Sequence, residues 1–283
     1  MDTNSPIICF GQQPNGFFPK RFLVAKINTA RGLQKEIGGK IVFFYHDSDA
    51  DYRETITVMR DKSSGDEVRL NFTQENKLQK KFSPLYLKRI PAGWKEEILK
   101  QLPRFVDKSL IDVFSSVNQK FVADFCLEMY LKMGLLERIE ILRSSDKSFR
   151  EQAPELAGEF FADVEYRGEI VRAKIEDKSV VARFIEPLEP DKSGNYKTTQ
   201  SQLVGILHEG GNQFIRFPIN ESIQKWQKSA NRDQRFAWMQ SVINCTHYIY
   251  GEGEKEYLDT KPFPNIEFID REKTDQADYA QTY

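Results

Sequence analysis

Two runs decide the fold: Ile7-Ile8-Cys9-Phe10-Gly11-Gln12-Gln13-Pro14-Asn15-Gly16 and, beyond a segment of different period, Lys40-Ile41-Val42-Phe43-Phe44-Tyr45. Neither apolar run alternates with polar residues, which suits strands covered on both faces, as in a parallel sheet. Between them Leu23, Ile27, Ala30 and Ile37 recur at helical spacing. Pro19 suits a first-turn position, where no backbone donor is needed, and Gly38-Gly39 suits the end of the helix. Strand, helix and strand within one crossover length predict a parallel βαβ unit with a right-handed connection. The loop after the first strand then lies at a helix N-terminus, where an open α/β sheet places its ligands.

Further along, Thr55 to Arg60 and Glu67 to Phe72 flank the turn-rich Lys62-Ser63-Ser64-Gly65-Asp66 and predict a hairpin. Pro91 to Leu102, Asp107 to Phe114 and Val117 to Met133 are expected to be helical. Leu135 to Leu142 is expected to be a strand, closed by a turn and cap at Arg143-Ser144-Ser145-Asp146. Ala162 to Glu186 alternates, with breaks at Tyr166-Arg167-Gly168 and Glu176-Asp177-Lys178, as in an antiparallel meander inserted into a larger domain. Pro187 to Thr199 reads as a surface loop, Ile223 to Asn244 as a helix, Thr246 to Tyr250 as a strand, and the polar residues after Asp270 as a flexible tail. The expected organisation is a core in two parts, 1–160 and 201–270, with a β-rich insertion over 161–200 and a tail over 271–283.

The 283 residues suffice for one large core with a smaller insertion. Their 41 basic and 42 acidic side chains leave a formal charge of -1 with no single-sign tail, so nucleic acid is not a favoured partner. The apolar runs are too short for a bilayer, and the start lacks a basic-then-apolar arrangement, so a cytoplasmic protein without a membrane partner is expected. Cys9, Cys126 and Cys245 are odd in number and sit among apolar residues, as buried free thiols do. Trp226, Phe236 and Trp238 are expected in the core rather than on a stacking platform.

Three junctions carry candidate chemistry. In the first, Gly11, Gln12, Gln13, Asn15 and Gly16 form a turn before a helix, with Lys20 adding positive charge and the glutamines adding amide donors and acceptors; an anion suits it. Its glycine spacing matches neither the dinucleotide fingerprint nor a phosphate-loop signature. In the second, His46, Asp47, Asp49, Asp51 and Glu54 put an imidazole and four carboxylates at the end of the neighbouring strand. Such a cluster can hold a cation, an amine or a hydroxyl, or share a proton. In the third, Gly251, Gly253 and Glu254 follow a strand, and the acid there favours an amine or hydroxyl over phosphate. No spacing of a zinc or EF-hand site is present, and no metal site is expected.

These residues resemble the cysteine-adding enzyme family of bacillithiol biosynthesis. Gly11-Gln12-Gln13 with Lys26 down the helix looks like its glycine-glutamine-glutamine turn. Phe43 to Glu54 looks like its strand ending in an acidic, histidine-bearing cluster, and Gly251, Gly253, Glu254 and Tyr257 look like its late Gly-x-Gly-Glu segment. Leu135 to Ser145 and Ala162 to Ile185 follow the family order, so the likeness covers most of the chain. It implies an α/β, Rossmann-like parallel-sheet core akin to nucleotidylyltransferases with an inserted antiparallel β meander. In a short, divergent member such as this, the long C-terminal coiled coil of the family is expected to be missing. Aligned on Phe43, Asp49, Asp51 and Glu54 match the acidic cluster, Ala50 stands where the family has histidine, and His46 is the candidate to replace that imidazole. The implied activity is that of a ligase or transferase joining an amino acid to an amine-bearing acceptor such as an amino sugar conjugate. Gln12, Gln13 and Lys20 would hold an anionic or nucleotide group (ATP or ADP), and Asp49, Asp51 and Glu54 would orient the amine. A metabolite-binding protein without catalysis, and a nucleotidyltransferase for another small molecule, are the alternatives.

Overall fold

The first crossover forms because its two strands are apolar on both sides and its helix is apolar on one. In the computed structural model, which describes residues 5–74, 76–156, 158–177, 203–275 and 277–278, β1 (Ile7–Gln12) and β2 (Lys40–Tyr45) pair in parallel, with Ile8 opposite Ile41 and Phe10 opposite Phe43. Helix α1 (Arg21–Ile37) connects them and buries Leu23, Val24, Ile27 and Ala30. It starts two residues later than the proline suggests, because Phe17 N–H donates to Thr57 Oγ1 at 3.0 Å and holds the turn before it. Its end is as expected: Gly38 has φ 74° and donates to Gln34 O at 2.9 Å. Gly39 must be glycine, since a Cβ there would lie 2.1 Å from Pro6 O.

The described chain continues through β3 (Thr57–Arg60), β4 (Glu67–Leu70), α2 (Lys77–Lys81), α3 (Trp94–Gln101), α4 (Lys108–Ser116), α5 (Val122–Lys132) and β5 (Ile139–Arg143). It then forms α6 (Lys147–Gln152), β6 (Phe160–Tyr166), β7 (Glu169–Asp177), β8 (Leu203–Gly210), β9 (Gln213–Ile219) and β10 (Lys228–Ala230). Last come α7 (Arg235–Ile243), β11 (His247–Tyr250), α8 (Glu252–Lys255) and β12 (Glu267–Asp270). The main sheet has the order β12-β11-β1-β2-β5 with every neighbouring pair parallel. The chain thus winds outward from β1 on one side and returns to build the other, as in a doubly wound fold. Ile8, Phe10, Phe43, Tyr45 and Ile249 pack on one face against α1, α4 and α5, while Cys9, Val42, Phe44 and Tyr248 pack on the other against α6 and α7. Both faces are therefore covered, which is why β1 and β2 are continuously apolar.

A second sheet, antiparallel in the order β10-β6-β7-β8-β9, stands beside the first. Arg150 on α6 ties the two together: its guanidinium pairs with Asp163 on β6 at 2.7 Å, and the same carboxylate accepts from Tyr86 Oη at 2.8 Å.

Several expectations need correction. Residues 203–219 form a hairpin of the antiparallel sheet instead of returning to the core. Ile223 to Asn244 is not one helix, because Lys228 to Ala230 pairs with β6 and only Arg235 onward is helical. Val117 to Phe121 is extended, since Ile90 N–H donates to Lys120 O and Val122 N–H to Lys88 O. Leu135 and Leu136 are buried from a turn, and Arg138 with φ 59° delays the strand to Ile139. Trp226 is exposed, with the Lys147 ammonium 5.6 Å from its ring. In the tail, Asp278 pairs with Arg21 at 2.8 Å, so its described residues dock on α1. The expected break at Lys178, the strand to Glu186 and the loop from Pro187 lie outside the described residues. Among the described residues no helix is long and apolar enough to cross a membrane.

Candidate functional site

The doubly wound order makes a crevice between the carboxyl ends of β1 and β11, where consecutive connections leave in opposite directions. Gly11 on β1 has no side chain to fill it; a Cβ there would lie 3.1 Å from Tyr248 Oη. Lys26 on α1, only 3% exposed, donates to Gly11 O at 2.8 Å and forms an ion pair with Glu254. Glu254 also accepts from Tyr248 Oη at 3.0 Å and from Gly251 N–H at 2.9 Å, where it closes the start of α8. One lysine-glutamate-tyrosine network thus joins α1, the end of β1, the end of β11 and α8. Both charges are answered, so its office is to hold the crevice in shape.

The crevice encloses about 330 Å³, within the usual range for a small-molecule site. Gly11, Gln12, Gln13, Lys26, Gly251, Gly253 and Glu254 all line it, so the first and third sequence junctions meet. His46 joins them from the end of β2. Its ring is 5% exposed, stands edge-on to Phe44 with centroids 4.7 Å apart, and has no hydrogen-bond partner on either nitrogen among the described residues. Burial, and next the positive charge of Arg235, hold its pKa well below that of a free imidazole, so at neutral pH it is uncharged.

The remaining acidic residues go elsewhere. Asp47 is fully buried and accepts from Arg143 Nε at 2.7 Å, Ser144 Oγ at 3.1 Å, and the backbone and hydroxyl of Ser145 at 2.9 and 2.7 Å. It fastens β2 to the turn after β5. Asp49 pairs with Arg235 at 2.8 Å and Arg172 at 3.4 Å. Burial alone would raise its pKa, but the two guanidiniums outweigh this and keep it ionised far below the usual carboxylate range. It is therefore not free to orient an amine. Asp51 is taken by Arg53 at 2.6 Å near the surface. Glu54, raised by burial against the pull of Lys20, and Lys20, whose Nζ donates to Glu54 O at 3.2 Å, form a separate pair that does not line the crevice.

Asn15 and Gly16 also face away from the crevice. Tyr130 Oη accepts from Asn15 N–H at 2.9 Å and donates to Gly16 O at 2.8 Å, so both residues pin the turn to the core. Gly16 has φ 82°, and a Cβ would lie 2.8 Å from Thr57 Oγ1. The cysteines are buried and unpaired.

Sequence reasoning missed Arg232, in the turn before α7, and Arg235, the first residue of α7, which both line the crevice. Read as the middle of one long helix, they gave no signal; their placement depends on β10 ending just before them. Phe22, Phe236 and Met239 add an apolar wall, and Tyr257, its hydroxyl pushed up to about 12 by burial and Glu254, stands at the rim beneath Arg232, 4.9 Å from its ring. Among the described residues no group of three or more His, Cys, Asp or Glu side chains is placed to hold a metal ion. Compared with protein-family models and with curated proteins, the chain gives no match.

Proposed function

We propose that the protein is a ligase or transferase that holds its small-molecule substrate in the β1–β11 crevice and joins an amino acid or similar group to an amine-bearing acceptor. The reading rests on the resemblance to the cysteine-adding enzymes and to the nucleotidylyltransferase-like core it implies. The observation that supports it is convergence: the glutamine turn with Lys26, the imidazole at the end of β2 and the Gly251–Glu254 segment, far apart in sequence, line one cavity. Gln12 and Gln13 supply amide donors and acceptors for orientation, and the Phe22–Phe236–Met239 wall suits the ring of a nucleotide such as ATP. When an amine attacks a carboxyl activated by ATP as a mixed anhydride with phosphate, the C–N bond forms as the C–O bond to the phosphate breaks, the phosphate group leaves with that electron pair, and the nitrogen loses a proton. Uncharged His46, buried in the crevice with no hydrogen-bond partner on its ring among the described residues, is placed to accept that proton, while the lining carboxylates Asp233, Glu252 and Glu254 are each paired with a lysine or arginine.

The engagement of Asp49 by two arginines favours one second reading, a metabolite-binding protein without turnover. Incubation with ATP, single amino acids and a panel of amino sugars, followed by mass spectrometry, separates the two. A conjugate heavier than the acceptor by one amino acid less water is the expected product, reduced at least about tenfold in Gln13→Ala, a loss of about 1.4 kcal/mol in transition-state binding. Ligand-induced thermal stabilisation without any conjugate supports the binding protein instead.

A further inference from the structure

Two polar groups in the crevice wall have no partner. Arg235 is the first residue of α7, which begins without a side-chain cap. Its Nη2 reaches Asp49 at 2.8 Å, but its buried Nε has no acceptor among the described residues. The His46 ring nitrogens are likewise unmet. Leaving such groups buried and unpaired is unfavourable, because they have lost water and gained no partner. The charges on this wall do not balance either. Of the charged residues that line the crevice, Lys26 pairs with Glu254, Arg232 with Asp233 at 3.1 Å and Glu252 with Lys255 at 3.2 Å, while behind Arg235 the single Asp49 carboxylate is shared with Arg172. One guanidinium is therefore in excess beside a neutral imidazole. A buried surplus charge persists when something that binds there completes it.

We infer that this wall is an anion subsite, in which Arg235 Nε–H and a His46 N–H donate to oxygens of a carboxylate or phosphate group on the ligand. The inference rests on the reading of the crevice as the substrate site and adds the chemistry of one end of the substrate. Arginine suits the role because its planar fork can keep Asp49 on one nitrogen while presenting another to the ligand. The start of a helix favours the same charge. Arg271, its guanidinium 4.7 Å from the Phe22 ring, supplies a further positive charge at the rim.

The test uses pyrophosphate as the phosphate probe and malonate as the carboxylate probe, with thermal shift as the readout. At least one should stabilise the protein, and Arg235→Lys and His46→Gln should each weaken its apparent affinity at least about tenfold, or about 1.4 kcal/mol. Arg69→Gln, on the exposed β3–β4 hairpin, should leave it unchanged. No stabilisation by either probe, or equal affinity in Arg235→Lys and wild type, overturns the inference. Should the variants not fold, the wild type suffices, because it has three histidines. With signals assigned through His208→Asn and His247→Asn, either anion should move the His46 imidazole resonance; movement of the other two alone, or of none, overturns the inference. A neutral probe such as adenosine or glucosamine separates its failure from that of the substrate site. Stabilisation by the neutral probe that Gln13→Ala removes, with no anion effect, leaves the site standing and sinks only the anion subsite.

Discussion

At the carboxyl end of β2 two consecutive side chains meet opposite fates. Asp47 is completely buried and accepts hydrogen bonds from Arg143 at the end of β5 and from Ser144 and Ser145 in the turn after it, whereas His46, one residue before it, is buried with both nitrogens idle among the described residues. Strand alternation explains the difference in direction: His46 points with Phe44 toward the crevice, and Asp47 points toward β5. The lesson is one of satisfaction. A buried polar group whose capacity is filled by the fold is part of the fold, and one left unfilled beside a cavity is a place for something else.

The largest effect should come from breaking the satisfied member. Asp47→Ala removes the acceptor of two serines and leaves Arg143 with Asp124, at 2.7 Å, as its carboxylate partner, and should cost about 1.5–3 kcal/mol in urea unfolding. A loss under about 1 kcal/mol would show that the Asp47 cluster is not the lock described here. A smaller effect concerns pH. The unfolded chain protonates His46 near its ordinary pKa of 6.5, while the folded chain resists until a lower pH. More protons are then bound by the unfolded state within that window. Stability is thus fully present above pH 6.5 and falls as pH drops toward the folded pKa, by at most about 1.4 kcal/mol per pH unit. Asp47 and Glu54, both raised by burial, act with the opposite sign at lower pH, so the comparison is between wild type and His46→Asn. The variant should lose the slope between pH 6.5 and 5.5; an unchanged slope would mean that His46 is not buried neutral. The smallest effect belongs to Asp51, whose side chain is paired with exposed Arg53. Asp51→Ala should change stability by no more than about 0.5 kcal/mol and leave ligand-induced stabilisation intact. A large loss of ligand response would return the acidic turn to the site.

The same contrast explains what was legible in the sequence. The β1–α1–β2 crossover could be read because strands covered on both faces are continuously apolar and because Gly38-Gly39 marks a helix end. Gly11, Gln12 and Gln13, and separately Gly251 and Glu254, could be read as strand-to-helix junctions, but that they meet depends on the parallel pairing of β1 with β11, which local sequence does not carry. The roles of Asp47 and Asp49 could not be read: their partners Ser144, Ser145, Arg172 and Arg235 lie far along the chain, and a cluster of carboxylates looks alike whether free or paired. Asn15, Gly16 and Lys20 belonged to the right loop, but Tyr130 and the backbone of Glu54 turn them away from the crevice. The β8–β9 hairpin carried a legible signal in Gly210-Gly211-Asn212 between two alternating runs. Arg235 carried none, since its position depends on the pairing of β10 with β6.

The central claim is that the ligand site is the β1–β11 crevice. Crystals soaked with ADP, pyrophosphate and malonate in turn test it most directly. The account expects bound density between the Gln12–Gln13 turn and the Gly251–Glu254 segment, with an oxygen within hydrogen-bonding reach of Arg235 Nε. Density only beside Lys20 and Glu54 or on the antiparallel sheet, or an empty crevice with all three, would contradict it.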